Sequence, residues 1–126
     1  MNQADHTRLP GNPSSAALAR RFVRSVLIEW GHGDLIELAE LLANELVTNS
    51  VLHTESEVEL SVSLEGERLR VEVHDDNPQA PMRRDYSLSA ATGRGLVLVE
   101  KLSSDWGTEP ANAGKVVWFE LAAEAS

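Results

Sequence analysis

The sequence predicts an α+β fold, a two-layer sandwich with helices on one face of a mostly antiparallel sheet. Three observations lead there. Apolar residues recur at three- and four-residue intervals over residues 14–53, and the period switches to two over residues 57–75. A long loop, a short helical run and a second alternating segment then close the chain. With 126 residues and no internal repeat, the chain is read as one domain, 1–126.

Residues 1–12 are read as marginally structured, with Thr7-Arg8-Leu9 as a short edge strand before Pro10-Gly11. Asn12 or Ser14 caps a first helix with Pro13 in its first turn. Ala16, Ala19, Phe22, Val23, Val26, Leu27 and Trp30 form its buried stripe, up to Gly31, while Arg20, Arg21 and Arg24 lie on its wet side. Asp34 is the expected N-cap of a second helix, which runs from Glu37 to His53.

That second helix breaks the amphipathic rule in its second half. At about 100° per residue, Asn49 falls on nearly the azimuth of Leu38 and Leu42, and Glu45 falls between Leu38 and Leu41 at the stripe's edge. Burying an unpartnered amide or carboxylate costs roughly 1–3 kcal/mol, more if charged. Two readings stay open: a polar cavity with a ligand, or local hydrogen bonds that satisfy both groups.

Val58, Leu60, Val62 and Leu64 then alternate with polar residues, Glu65-Gly66-Glu67 turns the chain, and Leu69, Val71 and Val73 alternate back. Parity carries Asp75 into the inward row, so a carboxylate points at the apolar layer from a strand end. A turn-capping Asp and a ligand contact account for it equally. Pro78 and Pro81 end the ladder and open a loop to Thr92, of a length often used for lids. It closes on Gly93-Arg94-Gly95 and then Leu96, Val97, Leu98, Val99 and Leu102, the start of a helix. Exposed N–H groups, a helix dipole and a guanidinium there suit an anion, although a tight turn also explains two glycines. Asp105–Glu109 reads as a strand, Pro110–Gly114 as a turn and Lys115–Leu121 as a last strand with Val117, Phe119 and Leu121 on one face.

Composition narrows the function. The formal net charge of −9 opposes sequence-independent nucleic-acid binding, which needs a basic footprint. No run approaches the roughly 20 apolar residues of a membrane span, and Met1–Arg8 lacks a signal peptide's apolar core. No direct nucleic-acid partner, no membrane and a cytoplasmic location are therefore expected. The absence of cysteine removes thiolate metal sites and cysteine nucleophiles.

Taken together, Glu45 and Asn49 on a helix, Asp75 at a strand end and Gly93-Arg94-Gly95 after a loop resemble the Bergerat-type ATP-binding fold of gyrase, heat-shock ATPases, histidine kinases and MutL. Within it, the chain is most similar to the anti-sigma-factor serine kinases of the RsbW and SpoIIAB type. The resemblance covers a core of about residues 9–121 and is strongest over Glu45–His53 and Gly93–Glu100, with Gly114–Leu121 in support. It implies that Asn49 coordinates a Mg²⁺ bridging the ATP phosphates and that Glu45 orients or deprotonates the attacking hydroxyl. It also implies that Asp75 accepts a hydrogen bond from the adenine amino group, that the 78–92 loop is the lid, and that Gly93, Arg94, Gly95 and Leu96 hold the phosphates.

Two departures stand out. Asp75-Asp76-Asn77-Pro78-Gln79 replaces the family's Asp-x-Gly-x-Gly, leaving Asn77 to preserve the turn through its tolerance of positive φ. Val116 stands where many relatives place a threonine near the adenine. The resemblance implies a homodimer formed through the N-terminal strand and first helix, with a sigma factor and an anti-sigma-factor antagonist as partners. A serine or threonine kinase that also holds a sigma factor is one expectation. A non-enzymatic interaction module of the same fold is the other. The ATP-binding half of a histidine kinase is set aside, because no dimerising helix carries a phospho-accepting histidine and His53 belongs to the central motif.

Overall fold

The alternation that begins at Val58 becomes the middle of a five-stranded antiparallel sheet in a computed structural model, which describes residues 2–53, 57–76, 97–111 and 114–122. Its strands are β1 (Gln3–Leu9), β2 (Val58–Glu65), β3 (Arg68–Asp75), β4 (Asp105–Ala111) and β5 (Gly114–Ala122), in the order β1-β2-β3-β5-β4. Helices α1 (Ser15–Glu29) and α2 (Ile36–His53) cover one face, joined by a 3₁₀ turn at Gly33–Leu35.

Register brings the apolar rows together. Leu60 opposes Val73, Val62 opposes Val71, and Val71 and Val73 oppose Phe119 and Val117 on the other side of β3. All six are buried, together with Ala19, Val23 and Leu27 of α1 and Leu42, Leu46 and Val47 of α2. Each large apolar side chain removed from water in this layer contributes about 1.5–3 kcal/mol. The hairpin between β2 and β3 closes through Gly66, whose φ of 61° is one that a side chain would resist.

Three expectations need correction. The N-terminal strand starts at Gln3, not Thr7, and pairs with β2 from Gln3↔Leu64 to Leu9↔Val58. Only Leu9 in it is buried, so the strand is held by its backbone ladder and leaves no hydrophobic period to read. Asp34 does not cap α2. It lies in the 3₁₀ turn, and the helix proper starts at Ile36. Pro110 does not begin a turn: β4 runs through it to Ala111, which an edge strand permits because no ladder donor is lost on its open side.

Two of the arginines on the wet side of α1 serve as clips to α2. Arg24 pairs with Glu40 at 2.8 Å, and Arg20 donates to the side-chain carbonyl of Asn44. Such exposed links are worth roughly 0.2–1 kcal/mol each. Ser14 is the N-cap of α1 but makes no side-chain bond to the helix; instead its N–H donates to Asn12 Oδ1 at 3.0 Å. Residues 97–102 are helical, with Val99 buried and Leu98 packed on the core.

On the face away from the helices, Arg70 lies 4.0 Å over the Trp118 ring and bonds Glu72 at 2.6 Å and Glu120 at 2.9 Å. Arg68 adds a 2.7 Å bond to Glu120. Burial works against ionisation of Glu120, but the hydrogen bonds and charges of Arg68 and Arg70 outweigh it and hold the carboxyl below its ordinary range. Burial likewise opposes the Arg70 guanidinium, and Glu72 and Glu120 overcome it, so its pKa is raised.

Candidate functional site

Helical geometry puts Glu45 and Asn49 one turn apart on the same side of α2. Glu45 is half-buried at the margin of the stripe, whereas Asn49 is only 4% exposed, beside the buried Ser50. The Oδ1 of Asn49 accepts no hydrogen bond among the described residues. A buried amide oxygen left without a donor carries a desolvation penalty. A hard cation that keeps most of its waters is a natural partner for one such oxygen. Among the described residues no group of three or more His, Asp or Glu side chains gathers as a metal cage, so a cation here would lean on this carbonyl and on its ligand's own oxygens.

Asp75 is the last residue of β3 and is 1% exposed, facing the helices as its parity requires. It opposes Lys115 in the register, and Lys115 Nζ lies 3.4 Å from Asp75 Oδ2. Lys115 is itself only 4% exposed. Two opposite charges thus share the interior at the junction of β3 and β5. α2 packs on both of these strands.

Gly114 makes this junction possible. A Cβ at position 114 would lie 1.9 Å from the Asp75 carbonyl oxygen and 2.6 Å from Asp76 Cα, so only glycine lets the two backbones approach this closely.

The last strand corrects one reading. Val116 opposes His74 and alternates away from the buried row, so it belongs to the outer face of the sheet. The side chain that β5 directs beside Asp75 is Lys115. The parity that groups Val117, Phe119 and Leu121 on one face already assigns position 115 to it, so this residue was within reach of the sequence. The other expected site residues, Asn77, Gly93, Arg94, Gly95 and Leu96, lie outside the described residues, as do the 78–92 loop and the side chain of His53. No helix among the described residues is long and apolar enough to cross a membrane.

Comparison with known proteins agrees with this architecture. A family model of the histidine kinase-like ATPase domain matches residues 9–121. The crystal structure of the RsbU and RsbW domains of Rv1364c from Mycobacterium tuberculosis superposes with a TM-score of 0.74 at 21% identity, over 96% of this chain and 32% of that one. The histidine kinase domain from the Erythrobacter litoralis EL346 blue-light activated histidine kinase gives a TM-score of 0.57 at 19% identity, over 91% of this chain and 62% of that one. At these identities the two structures establish a shared fold, and the chain spans only about a third of the first protein's length. No curated protein sequence matches the chain.

Proposed function

The chain belongs to the histidine kinase-like ATPase domain family, and from that premise we propose that it binds ATP with Mg²⁺ and phosphorylates a serine or threonine of an antagonist protein. In this reading it also sequesters a sigma factor by its surface, as a cytoplasmic homodimer, in the manner of the RsbW and SpoIIAB type. The observation that carries the reading is the buried Oδ1 of Asn49, unsatisfied among the described residues, with Glu45 one turn away. A core helix has no structural use for an orphaned carbonyl at that place, and a ligand does.

The residues divide the work by their chemistry. Asn49 offers a hard oxygen to the cation that accompanies the triphosphate; when bound, that cation offsets phosphate charge. Glu45, half-buried and so partly open to a partner, orients the accepting hydroxyl and takes its proton. Asp75 and Lys115 form the polar end that faces the base. Gly93, Arg94, Gly95 and Leu96, with Asn77, are assigned to the phosphates on the resemblance alone. Phosphoryl transfer is chiefly a matter of positioning and charge stabilisation, so few protein groups are needed.

Calorimetric titration of ATP with Mg²⁺ into the parent protein and into Asn49→Ala tests the first step. Binding that the substitution abolishes is expected; no binding by the parent overturns the reading. A phosphotransfer assay with Glu45→Gln then tests the catalytic assignment, and unchanged turnover removes Glu45 from it. One observation favours a second reading, a non-enzymatic interaction module: the carboxylate of Asp75 is already engaged by Lys115.

A further inference from the structure

We propose that β1 is a displaceable strap, and that the edge of β2 behind it, from Leu60 to Leu64, is a docking site for an extended segment of a partner protein with apolar residues at alternate positions. The inference stands apart from the nucleotide-binding reading and starts from what β1 sets against its neighbour. Parity turns Gln3, Asp5, Thr7 and Leu9 to the helix side of the sheet, in register with Leu64, Val62, Leu60 and Val58. Those β2 residues are all buried, yet of their partners in β1 only Leu9 is, and Asp5 is exposed. A carboxylate, an amide and a hydroxyl therefore stand where the apolar row calls for valine or leucine.

Fixing a residue in a strand costs about as much conformational entropy as its ladder bonds return net of water, so buried side chains decide whether an edge strand stays. β1 supplies one. Arg8 reaches Glu57 at 3.3 Å, but both side chains are exposed and the pair adds little. The Asp5 carboxylate accepts the adjacent N–H of His6 at 2.8 Å, which ties nothing to β2. On its other side β2 meets β3 through Leu60 with Val73, Val62 with Val71 and Leu64 with Leu69, all buried. Opening therefore runs from Gln3 to Thr7 and stops at the buried Leu9, where the Asn12 N–H donates to the Pro10 carbonyl at 2.9 Å. It uncovers a row of backbone donors and acceptors beside an apolar row, the kind of edge that takes an added strand. A segment with valine, isoleucine or leucine in the places of Gln3, Asp5 and Thr7 keeps the ladder and adds three apolar cross-strand pairs, which is how it competes with a strap held on the same chain.

The chain has no cysteine, so one engineered disulfide holds the strap shut without side reactions. Ala4 opposes Ser63, and Ala4→Cys with Ser63→Cys bridges them across the spacing of antiparallel neighbours. Two fluorescein-labelled peptides of residues 2–8 are the probes, one with Gln3→Val, Asp5→Val and Thr7→Val, the other with Asp5→Asn alone and so of equal charge. Anisotropy with the full chain is expected to show the valine peptide binding at least about tenfold more tightly than the asparagine peptide. Binding should vanish in the oxidised double-cysteine variant and return on reduction. In the parent, the β1 amides that bond β2 should exchange hydrogen at least about a hundredfold faster than those of the β2–β3 ladder. Binding that persists in the oxidised variant lies at another edge and overturns the assignment. Failure of the valine peptide to bind the parent does so as well, as does β1 exchange as slow as that of β2 with β3. Protection of β1 that grows with protein concentration puts a second copy on this edge and overturns it too.

Discussion

Replacing Asn49 with leucine should make the protein more stable and abolish MgATP binding. The two side chains share the same branched skeleton, so the substituted leucine would occupy the envelope of the amide, with methyl groups where its oxygen and nitrogen now sit. Asn49 is 4% exposed and its Oδ1 is without a donor among the described residues, so the folded state carries a desolvation cost of roughly 1–3 kcal/mol at this atom. Leucine removes that cost and adds a few tenths of a kcal/mol of helix propensity. Its larger volume at a buried position returns part of the gain through crowding. The net expectation for Asn49→Leu is about 1–2 kcal/mol of added stability, or a Tm higher by roughly 3–8 °C for a chain of this size. Urea unfolding at equilibrium measures the first and calorimetry the loss of ligand. A loss of about 1 kcal/mol or more in the variant would show that the carbonyl is satisfied in the folded protein, and would refute the reasoning.

The Asp75–Lys115 pair should behave as a buried ion pair does. Asp75→Leu alone is expected to cost about 3–5 kcal/mol by stranding the ammonium, while Asp75→Leu with Lys115→Met recovers most of it, a non-additivity that a double-mutant cycle in urea would measure. Gly114→Ala should destabilise by roughly 2–3 kcal/mol or more, because the new methyl meets backbone and not a side chain that can turn away; thermal unfolding checks this. The Glu120 carboxyl is held below its ordinary range, so its stabilisation is complete above the unfolded carboxylate pKa and is lost as pH falls through the folded value. Stability measured from neutral to acid pH should therefore drop less steeply in Glu120→Gln than in the parent. Equal slopes would mean that Arg68 and Arg70 do not hold the carboxylate in solution.

Sequence alone determined the two layers, because a period of 3.6 or 2 is written in the spacing of apolar residues and survives without knowledge of partners. The same arithmetic singled out Asn49 and Asp75 as polar groups facing inward, and both are buried. It was blind to β1 between Gln3 and Thr7, where backbone bonds to β2 do the holding and most side chains face water. Arg20 and Arg24 are exposed, as the sequence indicates, but their acceptors lie on another helix, which periodicity could not name.

Tertiary structure alone decided what each inward polar group meets. Periodicity assigns a side chain to a face but says nothing of the atom opposite it, and that atom sets the electrostatics of a buried charge. So the sequence could name Asp75, yet only the register of β3 against β5 set an ammonium beside it, and only the packing of α2 left the Asn49 oxygen without a donor among the described residues.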